Sequence, residues 1–483
     1  MPIFFWNLEF GAWNFYQIMP ERKYTYYDFT LSICPECLKR VDAKIVFEDE
    51  CVYMLKRCHE HGLSKVLIAD DVEYYKNIRN YNKPSEMPFK FNTKTHYGCP
   101  YDCGLCADHE QHSCLTVIEI TDRCNLKCPT CYANSAPGYG RHRTVEEVKQ
   151  MLDTIVENER EPDVIQISGG EPTVHPQLFE ILDYAKTLPI KHLMLNTNGV
   201  RIAKDLKFTE RLASYMPDFE IYLQFDSFKK EVLESMRGEN LLDVRKNALT
   251  HLNALNLSTT LVVTLQKGLN DDEIGKTIDY ALAQKCVRGV TFQPTQSAGR
   301  LENYSDKTDR ITLTEVRRKI LEQAPVFDAD DIIPVPCNPD SIAMGYALKL
   351  DGNVYPLTRY INPADLLDNS KNTIVYEQDE VLQGKLTDLF STGNSVDKAS
   401  ENLHSLLCCL PQIDAPELTY DNLFRIIIMQ FMDAYNFDVR AIKKSCVHIV
   451  DKDNKIIPFE TMNLFYRDDK KEYLKELQKI AVL

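Results

Sequence analysis

The chain has no apolar stretch approaching the roughly 20 residues that a membrane-spanning helix needs. It also shows no secretory leader with a basic start, an apolar middle and a small-residue cleavage site. Both absences lead to the expectation of a cytoplasmic protein, in a reducing compartment where clustered cysteines read as metal sites rather than disulfides. A positive charge excess is missing too. With 56 Lys and Arg against 71 Asp and Glu, the formal net charge is −15, which argues against nucleic acid or an anionic membrane as the partner. No internal repeat or low-complexity tract divides the 483 residues. Only two tryptophans occur, and both fall in the aromatic segment 1–18. That segment reads either as a peripheral membrane contact or as sequence ahead of a later start, because Met19-Pro20 also looks like a beginning.

What the chain does have is cysteine, 16 in all, grouped at metal-ligand spacings. Cys124, Cys128 and Cys131 form C-x3-C-x2-C directly after the apolar run Leu115 to Ile120. A closed iron–sulfur cube takes four thiolates, so three leave one iron open to a molecule that is not protein. Half of a zinc site is the plainer alternative, although zinc is usually met by a second pair downstream.

Three further groups follow the same logic. Cys34-Pro-Glu-Cys37 and Cys58-His-Glu-His61 bracket two alternating segments, Val41 to Glu48 and Cys51 to Leu55, which read as a small β ribbon. Paired knuckles of this kind place Cys34, Cys37, Cys58 and His61 around one ion, zinc or a rubredoxin-like iron, in a segment too short to build a core of its own. A metal-free hairpin is the alternative, and Cys51 reads as a core thiol. Cys99, Cys103 and Cys106 repeat C-x3-C-x2-C, with Cys114 eight residues on. Four thiolates close a cube, so an auxiliary [4Fe-4S] cluster for relay or structure is expected, unless Cys114 belongs to the next strand and leaves a second open triplet. His96, His109 and His112 lie close enough in sequence to substitute. Cys337 and Cys446, with the vicinal Cys408-Cys409, offer a third cluster, while Cys286 reads as a buried thiol.

Between residues 115 and 300 the pattern alternates strand and helix. Apolar strands are expected at 115–121, 163–168, 192–196, 219–226, 258–265 and 287–293. Helices fall between them at 145–157, 177–187, 204–215, 242–255 and 271–285, the first opened by a Thr144/Glu147 capping box. Six such strands predict an α/β fold with a parallel, buried, barrel-like sheet, and such sheets bind ligands at the carboxyl ends of their strands. The motif residues Gly169, Gly170, Glu171, Pro172, Asn196, Asn198, Gln224, Asp226, Thr264 and Gln293 all fall at those ends. The expected division is 1–90, 91–114, 115–300 and 301–483. In the last part, 350–355 reads as a hairpin with a Gly turn, and 422–435 as an apolar helix, packed in the core or lining an apolar channel.

The cysteine triplet and Ser168-Gly-Gly-Glu-Pro172 together resemble the radical S-adenosylmethionine (radical SAM) superfamily. The order of parts, from Cys34-Pro-Glu-Cys37 through Cys99-Pro-Tyr-Asp-Cys-Gly-Leu-Cys106 to Cys337 and Cys446-Val-His448, is similar to the family of archaeal tetraether lipid synthase and hydroxymethylpterin dimethyltransferases. The resemblance implies a partial (β/α)6 TIM-like barrel with an N-terminal metal-binding ribbon and a C-terminal α+β extension. It also implies a [4Fe-4S] cluster on Cys124, Cys128 and Cys131 that chelates SAM. The Gly169-Gly170 loop would meet the SAM amino group. Asn196, Asn198, Gln224 and Asp226 would meet its ribose and carboxylate, with Thr264 at the end of the fifth strand and Gln293 near the adenine. A reductant such as ferredoxin or flavodoxin is implied, and a small-molecule or lipid substrate. Carbon–carbon coupling of a lipid-like chain is the leading reaction; methylation of a pterin-like heterocycle is the alternative, and a non-catalytic SAM or cluster sensor is the third reading. Two departures stand out. Thr130 replaces the aromatic that often precedes the third cysteine, which weighs against adenine stacking by Tyr132. Glu460 follows Pro458-Phe459, where family members often carry another cysteine.

Overall fold

The computed structural model describes residues 22–84, 86–350, 352–360, 362 and 420–481. Cys408, Cys409 and segment 1–18 lie outside the described residues.

The N-terminal ribbon is a four-stranded antiparallel sheet of β1 (Thr25–Ile33), β2 (Arg40–Glu48), β3 (Cys51–Cys58) and β4 (Gly62–Ala69), paired in chain order. Period-two alternation puts Ala43, Ile45, Val52 and Met54 on one face, against Val72, Tyr75 and Ile78 of the following helical segment. The sequence reading marks only the middle two strands; β1 carries its own alternation at Phe29, Leu31 and Ile33, whereas β4 does not.

All six expected strands are present: β5 (Leu115–Thr121), then, after the two-residue β6 (Thr130–Cys131), β7 (Val164–Gly169), β8 (His192–Thr197), β9 (Phe219–Gln224), β10 (Thr259–Leu265) and β11 (Val287–Pro294). After β11 come β12 (Arg300–Leu301), β13 (Ile333–Pro334), β14 (Ile342–Leu350), β15 (Asn353–Pro356), β16 (Leu423–Met429), β17 (Val447–Val450) and β18 (Ile456–Pro458). The sheet runs in the order β13-β14-β16-β11-β10-β9-β8-β7-β5-β17-β18. Strand β16 pairs in parallel with β11, and β17 with β5. The predicted six-stranded parallel array is thus extended by one strand on each side. Among the described residues no pairing joins its two ends, so the sheet is open.

One expectation is corrected. Residues 422–435 were expected to form a helix, yet Leu423–Met429 is a strand with β11 on one side and β14 on the other. A short apolar run cannot be assigned by periodicity alone. Here the β-branched Ile426-Ile427-Ile428 favours the pleated, half-buried geometry. The hairpin at 350–355 is present as β14 and β15, with Leu350 opposite Asn353.

Alternation along the strands sorts side chains to two sides. Ile118, Ile167, Leu195, Leu223, Val263 and Phe292 pack outward on the helices. These include Val145–Glu159, whose capping box Thr144/Glu147 forms as expected, and Leu242–Leu255. Val117, Met194, Tyr222 and Val262 point to the inner side. Lys230–Arg237 is a helix with no counterpart in the sequence reading. None of the described helices is long and apolar enough to cross a membrane.

Candidate active site

A cleft of about 1320 Å³, its open mouth included, lies at the carboxyl ends of the parallel strands. Cys124, Cys128 and Cys131 line it on the segment that leaves β5. Backbone contacts set this segment. Gly170 N–H donates to Thr121 O at 2.7 Å and Glu171 N–H to Arg123 O at 2.9 Å. A Cβ on Gly170 would fall 2.2 Å from Arg123 O, and one on Gly169, at φ +126°, 2.3 Å from Thr121 O, so only glycine lets the two loops touch. From the other side Arg300 donates to Cys128 O and Ser135 O, each at 2.6 Å. Burial pushes the Cys124 thiol up to about 12, the expected state of a sulfur held away from water without a counter-ion.

The motif residues divide into those that face the cleft and those that hold it together. Glu171 lines it, but its carboxylate accepts from Thr173 N, Thr173 Oγ1, Thr197 Oγ1 and Asn198 N at 2.6–3.1 Å. Its oxygens therefore bind the β7 and β8 loops to each other. Pro172 opens the short turn behind it and is buried. Asn198 donates to Asn125 Oδ1 at 2.7 Å, bracing the cysteine segment. Asp226, expected to meet a ligand directly, is fully buried behind Arg237. Arg237 grips it through Nε at 2.7 Å and Nη2 at 2.6 Å, with Arg245 at 3.6 Å. The reason is electrostatic: a carboxylate this deep survives only when paired. Burial alone would raise the Asp226 carboxyl, but the two guanidinium groups outweigh it and hold it below the usual range.

Arg237 and Arg245 are the residues that sequence reasoning missed. Both line the cleft. Arg237 Nη2 also reaches Thr264 Oγ1 at 3.0 Å and Gln224 Oε1 at 3.2 Å. Arg245 Nη2 is buried with no hydrogen-bond partner, an orphan donor in the wall of a cleft. They give that wall two cations for the single carboxylate between them.

Further in, side-chain amides line the cleft. Gln224 Nε2 donates to Asn196 Oδ1 at 2.9 Å, Asn196 Nδ2 to Gln166 Oε1 at 3.3 Å, and Gln293 Nε2 to Tyr222 Oη at 3.1 Å. Beside them is an aromatic and aliphatic wall of Tyr222, Met429, Phe431, Val447 and Phe459. The Phe431 and Phe459 rings stack at 4.1 Å, and Tyr132 packs on Phe459 at 5.0 Å. Gln166 and Tyr222 had a readable signal, since they are polar groups at inward positions of otherwise apolar strands. Arg237 had none, because its helix was not foreseen.

Of the other thiols, the ribbon set gathers as the sequence reading expects, and Cys114 does not. Cys34, Cys37, Cys58 and His61 have donor atoms within 4.8 Å of one another. Their edges include 3.6 Å for Cys34–His61 and 3.8 Å for Cys37–Cys58, near the roughly 3.8 Å edge of a tetrahedron with 2.3 Å metal–sulfur bonds. Cys99, Cys103 and Cys106 stay together, Cys99 and Cys103 in contact. Cys114 does not join them. Its Sγ lies with those of Cys337 and Cys446, all three within 4.8 Å. Strand register explains the change: Leu115 N–H donates to Cys446 O at 3.1 Å and Leu115 pairs with Val447, a neighbour that spacing along the chain cannot reveal.

Residues 118–281 match the Radical SAM superfamily, and residues 26–70 match the HMPTM N-terminal zinc ribbon domain. The chain is 32% identical to 7,8-dihydro-6-hydroxymethylpterin dimethyltransferase of Methanocaldococcus jannaschii, over 92% of this chain and 94% of that one. This chain belongs to that family of radical SAM enzymes. It is also 27% identical to the mycofactocin maturase MftC of Mycolicibacterium smegmatis, over 38% of this chain and 44% of the relative. The solved structure of Streptococcus suis SuiB bound to S-adenosylmethionine aligns with a TM-score of 0.35 at 18% identity, covering 44% of this chain and 47% of that one. As a radical SAM enzyme, the protein takes a [4Fe-4S] cluster and SAM as cofactors and acts on a small molecule with the help of a reductant.

Proposed function

We propose that this radical SAM enzyme methylates a flat, pterin-like heterocycle, with Cys124, Cys128 and Cys131 holding the [4Fe-4S] cluster at the mouth of the cleft. The observation that carries this reading is the row of amides Gln166, Asn196, Gln224 and Gln293 beside the stacked Phe431 and Phe459. A fused heteroaromatic ring offers edge donors and acceptors to amides and a face to aromatic rings. An alkyl chain would strip water from those amides without replacing its hydrogen bonds. Carbon–carbon coupling of a lipid chain, the leading expectation from sequence, is therefore set behind methylation. The name of the Methanocaldococcus jannaschii relative supports the same substrate class.

The donor sets fit the cofactors. Three thiols at the mouth supply the cluster, and when bound it provides the electron that reductively cleaves the carbon–sulfur bond of SAM. Arg237 and Arg245, whose Nη2 makes no hydrogen bond, take the SAM carboxylate, and the backbone beside Gly169 and Gly170 takes its amino group. The apolar floor of Leu115, Val117 and Val447 excludes water from the reacting end. Asp226 holds Arg237 in place and does not touch the ligand. Cys99, Cys103 and Cys106 hold an auxiliary cluster that passes electrons from a ferredoxin- or flavodoxin-type partner.

The test is turnover of the reconstituted enzyme with SAM, a chemical reductant and a reduced hydroxymethylpterin. With SAM also serving as the methyl donor, the pterin is expected to gain the mass of one or two methyl groups in place of hydrogen, with formation of 5′-deoxyadenosine and S-adenosylhomocysteine. A Gln166→Leu variant should weaken pterin use while leaving SAM binding intact. An unmodified pterin, together with a coupled alkyl product from a lipid substrate, would overturn the proposal.

A further inference from the structure

We propose that Cys114, Cys337 and Cys446, closed by His112, bind one divalent metal ion in tetrahedral geometry, and that this ion staples together the two edges of the open sheet. The inference is independent of the substrate the cleft takes. The three thiols come from segments far apart in sequence. Cys114 immediately precedes β5 and Cys446 immediately precedes β17, near one edge of the sheet. Cys337 follows β13, at the other edge. Hydrogen bonds do not join these edges among the described residues, yet the three sulfurs meet within 4.8 Å, at 0–2% exposure.

Spacing decides what they hold. Cys337 Sγ lies 3.3 Å from Cys446 Sγ, well beyond the roughly 2.05 Å of a disulfide and close to the edge of a tetrahedral site. Only two donor groups among the described residues are this tight, the ribbon site and this one. The Cys124 triplet is spread more widely, as thiolates on separate corners of a cube must be. The third thiol set thus matches a single ion and not the third cube expected from sequence. Glu460 stands where a fourth cysteine would close a cube, and its Oε2 already accepts from Ser445 Oγ at 3.0 Å.

The fourth ligand follows from the imidazoles around the trio. His112 Nε2 is 3.7 Å from Cys114 Sγ, and its Nδ1 is 3.3 Å from Glu159 Oε2. A metal-bound histidine characteristically hands its second N–H to a carboxylate in this way. Glu159 is itself fixed by Ser113 N–H at 3.0 Å. His448 is engaged on both nitrogens, by Ser113 Oγ at 2.9 Å and His109 Nε2 at 3.2 Å. In this structure the three thiols converge without the imidazole, whose Nε2 also faces Glu86 Oε2 at 3.9 Å, so closing the site requires the His112 ring to turn toward the trio. Binding releases the three thiol protons, and the three thiolates, one neutral imidazole and the divalent ion sum to a single negative charge. Leu115 and Val447, which line the cleft floor, directly follow two of the ligands, so the staple fixes the substrate end of the cleft and not its SAM end.

The test is metal analysis of the full-length protein loaded with zinc, and the absorption of its cobalt(II) form. Cys337→Ser and His112→Ala are each expected to remove one zinc per chain and the matching thiolate–cobalt absorption, with iron and sulfide content unchanged. His112→Cys is expected to keep the ion with an altered cobalt spectrum, and this variant decides the matter if His112→Ala fails to fold. Unchanged zinc in Cys337→Ser, loss of iron and sulfide together in that variant, or loss of the ion in Glu460→Gln with retention in His112→Ala would each overturn the proposal.

Discussion

Arg237 ties the cleft wall to the core behind it: it clamps the buried Asp226, reaches Thr264 and Gln224, and lies beside Cys128. Replacing it with alanine should weaken SAM binding by about tenfold or more, since charge-assisted hydrogen bonds are worth about 1.5–3 kcal/mol. Equilibrium binding of SAM to the reconstituted protein checks this; unchanged affinity would place the carboxylate elsewhere. Gly170→Ala should act through geometry instead. Its Cβ would need the Arg123 carbonyl to move, so iron content after reconstitution is expected to fall with little change in the ribbon. At this scale the sequence was readable where a residue type is forced by backbone approach, as at Gly169 and Gly170. It was unreadable where function depends on a partner. Asp226 looked like a ligand contact because its own motif is visible, while the arginines that occupy it come from helices after the strand.

The strands are bound at their opposite ends by a buried charge knot. Glu220 on β9 accepts from Arg425 on β16 at 2.8 Å, His192 on β8 at 3.2 Å and Tyr420 at 2.7 Å, with Thr260 on β10 also bonded to it. Burial would raise the Glu220 carboxyl, but Arg425 and then His192 hold it well below the carboxylate range. A depressed carboxyl contributes stability above its unfolded value of about 4.3, and that stability is lost as pH falls toward the folded value. Glu220→Gln should therefore cost about 3–5 kcal/mol at neutral pH by stranding Arg425. Its denaturant midpoint should also fall less steeply than the wild type's as pH drops from about 5 to 3. An equal pH slope in both proteins would remove the knot from the stability account. The same strand, β16, shows why one element was misread. Periodicity in seven apolar-rich residues does not separate a helix from a buried strand; the three isoleucines lean toward the strand, and two neighbouring strands that sequence alone does not pair complete the choice.

Across the whole molecule, the repeating strand–helix alternation was legible because each unit carries its own period. The strands that extend it at either side were not, because their pairing depends on contacts between residues far apart in the chain. Residues 115–294 could be laid out strand by strand, whereas β16 and β17 became visible only once the sheet was formed. The ribbon is attached through side-chain contacts: Lys56 Nζ, fixed within the ribbon by Ile33 O at 2.9 Å, donates to Ala434 O at 2.7 Å, and the Thr30 hydroxyl donates to Asp438 at 2.6 Å. Lys56→Met should loosen this contact while leaving the sheet intact. Faster proteolysis within residues 22–84, with SAM binding unchanged, is the expected result.

The central claim is that, of the cysteine sets in the chain, the Cys124/Cys128/Cys131 triplet alone carries the reaction. The direct measurement is 5′-deoxyadenosine formed from SAM by anaerobically reconstituted protein with a chemical reductant, which bypasses any relay. Cys128→Ala is expected to abolish it, and Cys99→Ser to retain it. Deoxyadenosine at the wild-type level from Cys128→Ala would contradict the account.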